Sequence, residues 1–257
     1  MVKYTALFIF AVSVSAQPRN IIAISHRGEH LERPENTIPA FQEAIRVGAD
    51  FIEVDVQTTS DGKLVLSHDA TVDRCTDGKG RVDSMTFEQI EMLDAGAKKG
   101  YPGTKIPTFD QVLDLARGKI GIYVDIKNAT AQDLVNHIVD HGMADHVVMY
   151  CGARMCKQIQ ELNSKLKVMP ESRSVDNSRM LVDLLHPPVI AFGTADFQPE
   201  IIAIAKEAKA KIYLDVMGKA DNPEGWQATI DAGADGLQTD RPGPLVEWLR
   251  ANGYKKN

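Results

Sequence analysis

Residues 25–69 read SHRGEHLERPENTIPAFQEAIRVGADFIEVDVQTTSDGKLVLSHD, and they carry most of the information about the architecture. An apolar run that begins at Ile21 leads into this segment, which itself contains two more strand-like runs, Phe51–Val56 and Leu64–Leu66. Between the first and second runs, Phe41 and Ile45 lie four residues apart, as on the buried face of a helix. Strands that alternate with helices predict an α/β protein built on a parallel sheet.

Charged residues follow several of the strand-like runs at the point where each run ends. His26 follows the first run, His68 follows the third, and Asp125 and Lys127 follow a later run at Ile120–Val124. In barrels and open sheets of parallel strands, reactive groups collect at the carboxyl ends of the strands. We therefore expect these side chains to share one rim. For a single histidine at a strand end, packing or capping is the alternative explanation.

Two carboxylates in the second run suggest a cation. Glu53 and Asp55 alternate with apolar residues, so their side chains point to the same face of the strand. Two like charges on one face repel each other and are costly to bury without a cation or a cluster of bases. Oxygen ligands alone suit magnesium or calcium. A solvated strand edge is the alternative for an isolated Glu-x-Asp pair.

The strand-like runs outnumber the places in an eight-stranded barrel by one. They begin at Ile21, Phe51, Leu64, Ile120, His146, Leu166, Val189, Ile212 and Gly236. We expect Val189–Phe192 to be the run outside the barrel, because His186-Pro187-Pro188 precedes it. Residues 58–63 read TTSDGK, which predicts a tight turn instead of a crossover helix, so this part of the barrel should be irregular.

The segment HRGEHLERPENTIPAFQEAIRVGADFIEVDVQTTSDGKLVLSHDATVDRCTDGKG, which starts at His26, resembles the signature of the glycerophosphodiester phosphodiesterase family. The resemblance implies an α/β fold of the TIM (β/α)8-barrel type with an insertion after the third strand. It also implies a divalent metal cofactor, Mg or Ca, and hydrolysis of glycerophosphodiesters to an alcohol and glycerol 3-phosphate. The expected enzyme class is thus that of the phosphoric diester hydrolases.

The resemblance also assigns roles to individual residues. His26 and His68 match the acid/base pair of the family, and either one can be the acid or the base. Arg27 matches the phosphate contact, and Glu53 and Asp55 match two metal ligands. Lys127 matches a further substrate-binding position, and Asp125 occupies the place of the third metal ligand.

Two positions depart from the family pattern. The later motif is Glu-x-Lys in most relatives and reads Asp125-Ile126-Lys127 here, which draws the carboxylate back by roughly 1.5 Å, more than a metal–oxygen bond tolerates without compensation. A shift of the strand or a bridging water would compensate. The usual Trp-Thr-Val-Asn near the C-terminus is replaced by residues 213–218, YLDVMG. These departures leave the identity of the head group open.

The chain is long enough for one barrel domain, which we place at residues 17–257. Within it, Ala70–Pro107 is too long for an ordinary barrel loop. Relatives carry an insertion at this place that caps the active site, and we expect the same at residues 70–107. A surface excursion without substrate contact is the alternative.

The first residues read as a secretory signal peptide. Lys3 precedes the apolar stretch Tyr4–Val14, and Val14-Ser15-Ala16 forms a small-residue cleavage site. The apolar stretch is too short to span a bilayer. We therefore expect a signal peptide at residues 1–16 and a secreted or periplasmic mature protein without stable membrane insertion. A retained membrane anchor is the rival interpretation.

Charge and cysteine content restrict the partners. A formal charge of −6 disfavours nucleic acid, whereas a small phosphodiester substrate needs only local positive charge. The oligomeric state stays open. Cys75, Cys151 and Cys156 do not form a disulfide framework, and their odd number leaves at least one free or paired with another chain.

Two other functions remain open. A non-catalytic binding protein for phosphorylated ligands is favoured by Asp125 but disfavoured by His26 and His68, because simple binding needs no proton carriers. A phospholipase-like phosphodiesterase would need a wide apolar mouth, and the sequence shows no membrane-binding stripe. Further strand-end residues are expected to be ordinary hydrogen-bonded rim residues: Glu171, Arg173, Asp215, Gln238 and Asp240.

Overall fold

The computed structural model describes residues 19–256, so the predicted signal peptide at residues 1–16 lies outside the described part. The strands are β1 (Ile22–Ser25), β2 (Phe51–Thr58), β3 (Leu64–Leu66), β4 (Gly121–Asn128), β5 (Val147–Tyr150), β6 (Lys167–Met169), β7 (Val189–Phe192), β8 (Lys211–Asp215) and β9 (Gly236–Thr239). The α-helices are α1 (Ile38–Val47), α2 (Phe87–Glu91), α3 (Phe109–Ala116), α4 (Ala131–Asp140), α5 (Ala153–Leu162), α6 (Val175–Leu185), α7 (Pro199–Glu207), α8 (Pro223–Ala232) and α9 (Pro242–Ala251).

Eight parallel strands form a nearly closed barrel with helices between them, which confirms the predicted fold class. The strand order around the barrel is β6-β5-β4-β2-β1-β9-β8-β7. Glu171 and Ala191 close the ring between β6 and β7 through a single parallel bridge. Backbone hydrogen bonds from Ser172 N to Ala191 O, 2.9 Å, and from Ala191 N to Pro170 O, 3.0 Å, hold this seam.

The strand outside the barrel is β3, so the expectation that Val189–Phe192 lies outside was wrong. β7 is buried on both faces and pairs in parallel with β8 over its whole length. β3 pairs with β2 in the antiparallel direction, because the turn between them is too short for the crossover that parallel pairing requires. The predicted irregularity of this part of the barrel is confirmed.

The antiparallel return of β3 brings the chain back to the level of the rim. Leu64 pairs with Thr58 and Leu66 pairs with Val56, so the chain runs back along β2. Ser67 N then donates to Asp55 O at 2.9 Å. His68 therefore lies beside Asp55 without following a barrel strand, which corrects the expectation that it ends a parallel strand.

Large aromatic side chains fill the barrel interior where glycines leave room. A Cβ atom at Gly121 would lie 2.5 Å from the ring of Phe51, and one at Gly236 would lie 2.6 Å from the ring of Tyr213. Such contacts are far below van der Waals distance, so these two strand positions require glycine. The interior cluster also contains Ile24, Tyr123, Val148, Met169, Val189 and Ala191.

Residues 70–107 form a small subdomain with its own apolar core. Two short 3₁₀ turns, Val82–Ser84 and Ala97–Lys99, flank α2 in this segment. The core of the subdomain consists of Val65, Val72, Val82, Ile90, Ala95 and Ile106. Because this core includes Val65 of β3, the antiparallel strand joins the segment to the barrel.

The three cysteines comprise one disulfide pair and one free thiol. Cys151 and Cys156 form a disulfide between the end of β5 and α5, while Cys75 is a free thiol. The odd cysteine count thus resolves into one bridge and one free residue.

Among residues 19–256, every helix falls short of the length and apolar character needed to cross a bilayer.

Candidate active site

A strained turn after β1 positions the first histidine and arginine. Arg27 has φ 52° and Gly28 has φ 78°, both in the left-handed region. A Cβ atom at Gly28 would lie 2.8 Å from Ala40 of α1, so only glycine fits there. Asn36 N donates to Arg27 O at 3.0 Å, which holds the arginine in a conformation that non-glycine residues adopt at an energetic cost. Strain of this kind is concentrated at functional sites.

Three carboxylates converge at the rim. Asp55 of β2 and Asp125 of β4 are register partners on neighbouring strands, and Glu53 precedes Asp55 on the same face. One oxygen from each of the three residues lies within 4.8 Å of the others. Asp125 therefore reaches the cluster although its side chain is one methylene shorter than glutamate.

The charges of this cluster are partly compensated by two basic residues. Arg27 N donates to Glu53 Oε2 at 2.8 Å, and Arg27 Nε lies 3.4 Å from Asp55 Oδ2. Lys127 Nζ lies 2.7 Å from Asp125 Oδ2 and 3.1 Å from Asp55 Oδ1. Burial lowers the pKa of Lys127, but the two aspartates outweigh it and the net pKa is raised.

The compensation is incomplete at Glu53. Burial and then repulsion from Asp55 and Asp125 raise the pKa of Glu53 well above its usual range. Burial also raises the pKa of Asp125, and Lys127 counteracts the rise only in part. A group of buried carboxylates with raised pKa values is unfavourable by itself and becomes favourable when a cation binds.

The residues fit a divalent metal ion. Among residues 19–256, Asp55 Oδ1 is buried and accepts no hydrogen bond, although Lys127 Nζ forms an ion pair with it at 3.1 Å. An acceptor in this state is suited to a ligand. The three side chains offer only oxygen, which is the donor set that Mg²⁺ and Ca²⁺ prefer.

His26 is held by the carboxylate of Asp240, which directly follows β9, the last barrel strand. Its Nδ1 is 2.7 Å from Asp240 Oδ1. His30 packs edge-on against His26 with ring centroids 5.3 Å apart, and His30 Nδ1 donates to the His26 carbonyl at 2.8 Å. Burial lowers the pKa of His26, while the hydrogen bond to Asp240 acts in the opposite direction. His26, His30 and Asp240 also form a second group with metal-ligand spacing.

His68 is held in the same way by its neighbour Asp69. His68 Nδ1 lies 2.7 Å from Asp69 Oδ1. Gln57 Nε2 fixes this loop by donating to Ser67 O at 2.8 Å and to Asp69 O at 2.6 Å. His68 and Lys127 line a common cavity of about 360 Å³ at the rim.

A chain of ion pairs joins residues 70–107 to Arg27. Arg74 donates to Asp69 at 2.7 Å and to Glu35 at 2.6 Å, and Arg27 donates to Glu35 at 3.0 Å. Burial raises the pKa of Glu35, but the two arginines outweigh it and hold the pKa at about 2. Arg74 in turn lowers the pKa of Asp69. Through Arg74, residues 70–107 thus contact two carboxylates of the site. Asp69 is the partner of His68, and Glu35 is the partner of Arg27.

Several residues that shape this site were not predicted from the sequence. Asp240 was expected to be a structural rim residue, yet it bonds to His26. A weak signal existed, because Gly-Ala-Asp precedes β2 and recurs at residues 233–235, with Asp55 and Asp240 five residues further on in each case. Asn36 was also missed as a partner, although its Nδ2 donates to Asp55 Oδ2 at 2.6 Å.

The weaker candidates lie at the ends of β6, β8 and β9. Glu171 and Arg173 pair with each other and line a cavity of about 410 Å³ next to Tyr150. Asp215 and Gln238 are register partners on β8 and β9. Gln238 Oε1 is buried and lacks a hydrogen-bond partner among residues 19–256, so the expectation of an ordinary bonded rim residue was wrong for this side chain.

Comparisons with known proteins agree with this geometry. The sequence matches the glycerophosphoryl diester phosphodiesterase family over residues 26–244. It is 32% identical to a glycerophosphodiester phosphodiesterase of Caldanaerobacter subterraneus subsp. tengcongensis over 248 residues, which cover 90% of this chain and 99% of that protein.

Solved structures show the same fold. The crystal structure of glycerophosphodiester phosphodiesterase from Agrobacterium tumefaciens aligns with a TM-score of 0.80 at 27% identity, covering 88% of this chain and 99% of that one. An Oleispira antarctica phosphodiesterase in complex with the product sn-glycerol-3-phosphate aligns with a TM-score of 0.81 at 20% identity, covering 89% and 96% of the two chains. At the latter identity the likeness concerns the fold alone.

Proposed function

Because the chain belongs to the glycerophosphoryl diester phosphodiesterase family, we propose that it hydrolyses glycerophosphodiesters with the help of a divalent metal ion and two histidines. The products are an alcohol and glycerol 3-phosphate. The chain is a phosphoric diester hydrolase, as its family and its relatives are. The observation that carries the metal role is the convergence of three carboxylates, Glu53, Asp55 and Asp125. The histidine roles are supported by their chain neighbours, since Arg27 N, next to His26, donates to Glu53 and Ser67 N, next to His68, donates to Asp55 O.

The carboxylates Glu53, Asp55 and Asp125 would hold the metal ion. A bound Mg²⁺ or Ca²⁺ supplies Lewis-acid stabilisation to the phosphoryl oxygens. Arg27 and Lys127 lie beside these carboxylates and carry positive charge at the same place. They bind the remaining phosphate oxygens and stabilise the negative charge that develops in the transition state.

His26 acts as the base and His68 as the acid in this proposal. Asp240 accepts a hydrogen bond from His26 Nδ1, so Nε2 carries the lone pair that accepts a proton from the nucleophile. The nucleophile is water, or a neighbouring glycerol hydroxyl that forms a cyclic phosphate which water then opens to glycerol 3-phosphate. Burial lowers the pKa of His26, which keeps the ring neutral and ready to accept at neutral pH. His68, with Nδ1 held by Asp69, donates a proton to the departing alkoxide.

The insertion and the localisation complete the proposal. Residues 70–107 cap the active site, which the contacts of Arg74 with Glu35 and Asp69 support. The protein works in the periplasm or outside the cell, as a signal peptide at residues 1–16 would require. The disulfide between Cys151 and Cys156 supports this location, because disulfides persist in oxidising compartments.

The test is an assay of the purified protein on glycerophosphocholine with added Mg²⁺ or Ca²⁺, with a chelator as the control. We expect release of glycerol 3-phosphate. The chelator should abolish this activity, and added Mg²⁺ or Ca²⁺ should restore it, to a different extent for each metal. His26→Ala and His68→Ala should each lower kcat by about 100-fold or more, since each removes a proton carrier. His146→Ala is the matched control, because this histidine lies in the 3₁₀ turn before β5, outside the site described above.

Two results would contradict the proposal. Full activity of either histidine variant would remove that histidine from the mechanism. Tight binding of the diester without turnover in any metal would favour a capture protein for phosphorylated ligands instead.

A further inference from the structure

A second cavity adjoins the active site on the side of the insertion. It has a volume of about 220 Å³ and lies between the loop after β1 and the segment around the 3₁₀ turn Ala97–Lys99. Its charged and ionisable lining residues are His30, Arg33, Glu35, Arg74, Cys75, Lys98 and Lys99. None of the roles proposed above for the metal, the histidines or the phosphate uses this cavity.

The cavity carries an excess of positive charge. Arg74 is neutralised by Glu35 and Asp69. By contrast, Arg33, Lys98 and Lys99 have no carboxylate within 4.0 Å in the part of the chain that the structure describes.

Two of these cations are held in place. The guanidinium of Arg33 lies over the ring of Tyr101, 5.0 Å from its centroid, and also donates to the Tyr101 hydroxyl. Lys98 Nζ donates to the carbonyl of Asp73, which leaves two of its three hydrogens for a ligand. Cations that are already positioned lose less conformational entropy when an anion binds.

Two lining residues of the cavity contact residues of the active site. Glu35, which lines it, accepts a hydrogen bond from Arg27 at 3.0 Å. His30, which also lines it, packs against His26 with ring centroids 5.3 Å apart. The cavity therefore lies next to the place proposed for the phosphodiester, beside Arg27 and His26.

We propose that this cavity is a subsite for a phosphate monoester on the leaving alcohol. The substrates it favours are glycerophosphodiesters whose head group carries a second phosphate, such as a phosphorylated polyol. Lysine and arginine side chains are the usual partners of phosphate oxygens, and three uncompensated cations match a dianion. The inference rests on the proposed function, since it assigns the head group of the same reaction.

The test compares two substrates that differ only in the second phosphate, glycerophosphoinositol and glycerophosphoinositol 4-phosphate. We expect the wild-type protein to show a KM about tenfold lower for the phosphorylated substrate at about 50 mM salt, and a smaller preference at about 500 mM. Lys98→Ala should lose most of this preference through KM, with kcat unchanged. Lys79→Ala is the matched control, because it removes an exposed lysine of the same segment that lies outside the cavity.

The outcomes separate the inference from the proposed function. Equal KM values for the two substrates in wild type, with turnover intact, would overturn the subsite and leave the proposed function standing. Loss of the preference in Lys79→Ala to the same degree would also overturn it, because the effect would then be one of net charge. Absence of turnover with both substrates would overturn the proposed function. Sedimentation with vesicles that contain phosphatidylinositol 4-phosphate, without any kinetic preference, would replace the subsite by a membrane contact.

Discussion

A single hydrogen bond, between His26 Nδ1 and Asp240 Oδ1, sets which nitrogen of His26 is available for chemistry. Asp240 is only half-buried, and its pKa is lowered, chiefly by this bond. The carboxylate therefore stays ionised at neutral pH and fixes the ring in one tautomer. Asp240 is a positioning residue, because it acts on the substrate only through His26.

We predict that Asp240→Asn lowers kcat by about 100-fold with little change in KM, because the amide no longer fixes the tautomer. The hydrogen bond raises the pKa of His26, so its loss should also move the acid limb of the pH–rate profile to lower pH. Steady-state kinetics over a range of pH values measures both effects. Asp231→Asn, on the exposed side of α8, is the control. An unchanged profile would mean that Asp240 is only structural.

Asp215 is a carboxylate without a basic partner within 4.0 Å among residues 19–256. Burial raises its pKa to about 7, with further contributions from Glu171, Asp125 and Asp240. Its ordinary pKa is 3.8, so the folded protein binds more protons than the unfolded chain between the two values. Stability should consequently fall as the pH rises through this window.

We predict that Asp215→Asn removes this pH dependence. At about pH 8 the variant should be more stable than wild type by about 1–2 kcal/mol, because the neutral amide removes a charge that the folded state disfavours. Partial exposure of the side chain screens part of the repulsion, which limits the gain to this size. Near pH 4 the two proteins should be equally stable, since Asp215 is then protonated in wild type. Urea unfolding with chelator present, at several pH values, measures the difference. A variant that is equally destabilised at both ends would show that the shape of the side chain matters more than its charge.

At the scale of elements, β3 and β7 show what the sequence predicts correctly about the strands and what it does not. Both runs are short and apolar, and the sequence correctly predicted that one of nine strands lies outside the barrel. The prediction placed β7 outside the barrel instead of β3, because apolar character does not reveal which strand a given strand pairs with. The deciding fact was the length of the turn after β2, which permits only antiparallel pairing.

Asp221 connects α8 to the loop that carries Asp240. It is 4% exposed, and its Oδ1 accepts hydrogen bonds from Trp226 Nε1 at 2.8 Å and Thr239 Oγ1 at 2.6 Å. Its Oδ2 accepts from Asp240 N at 2.9 Å. One buried carboxylate thus fixes the position of the helix and of the loop after β9. Trp226 is a packing residue at this junction.

We predict that Asp221→Asn lowers the free energy of unfolding by about 2–3 kcal/mol, because the amide nitrogen cannot accept one of the three hydrogen bonds. Trp226→Phe, which removes a single donor and leaves the others, should cost about 1–2 kcal/mol. Urea unfolding measures both variants. If Asp221→Asn proves no more destabilising than Trp226→Phe, the loop after β9 does not depend on this carboxylate.

At the scale of the whole molecule, the carboxylate cluster depends on long-range pairing between barrel strands. Glu53 and Asp55 come from β2, and Asp125 comes from β4, separated from them by the whole insertion. Parallel pairing of the two strands brings the three side chains together, and Asp55 and Asp125 are direct neighbours in the register. Folding therefore assembles negative charge that the unfolded chain keeps apart.

We predict that Mg²⁺ or Ca²⁺ raises the Tm of the chelator-treated protein by several degrees, because a ligand that binds only the folded state stabilises it. Glu53→Gln should raise the Tm without metal, since it removes the carboxylate whose pKa is raised most clearly by burial and by its neighbours. The same variant should abolish most of the shift caused by metal. Differential scanning calorimetry measures these values, and an equal metal shift in Glu53→Gln would place the cation elsewhere.

The sequence by itself determined the class of fold and the residue types of the site. Periodic apolar runs ending in charged residues, together with the resemblance of residues 26–80, were enough for this, because periodicity and residue chemistry are local properties. Tertiary structure alone decided which strand leaves the barrel, that Asp125 reaches the cluster, and that Asp240 bonds to His26. These facts depend on strand pairing and on contacts between residues up to 214 positions apart, and no local pattern encodes such distances.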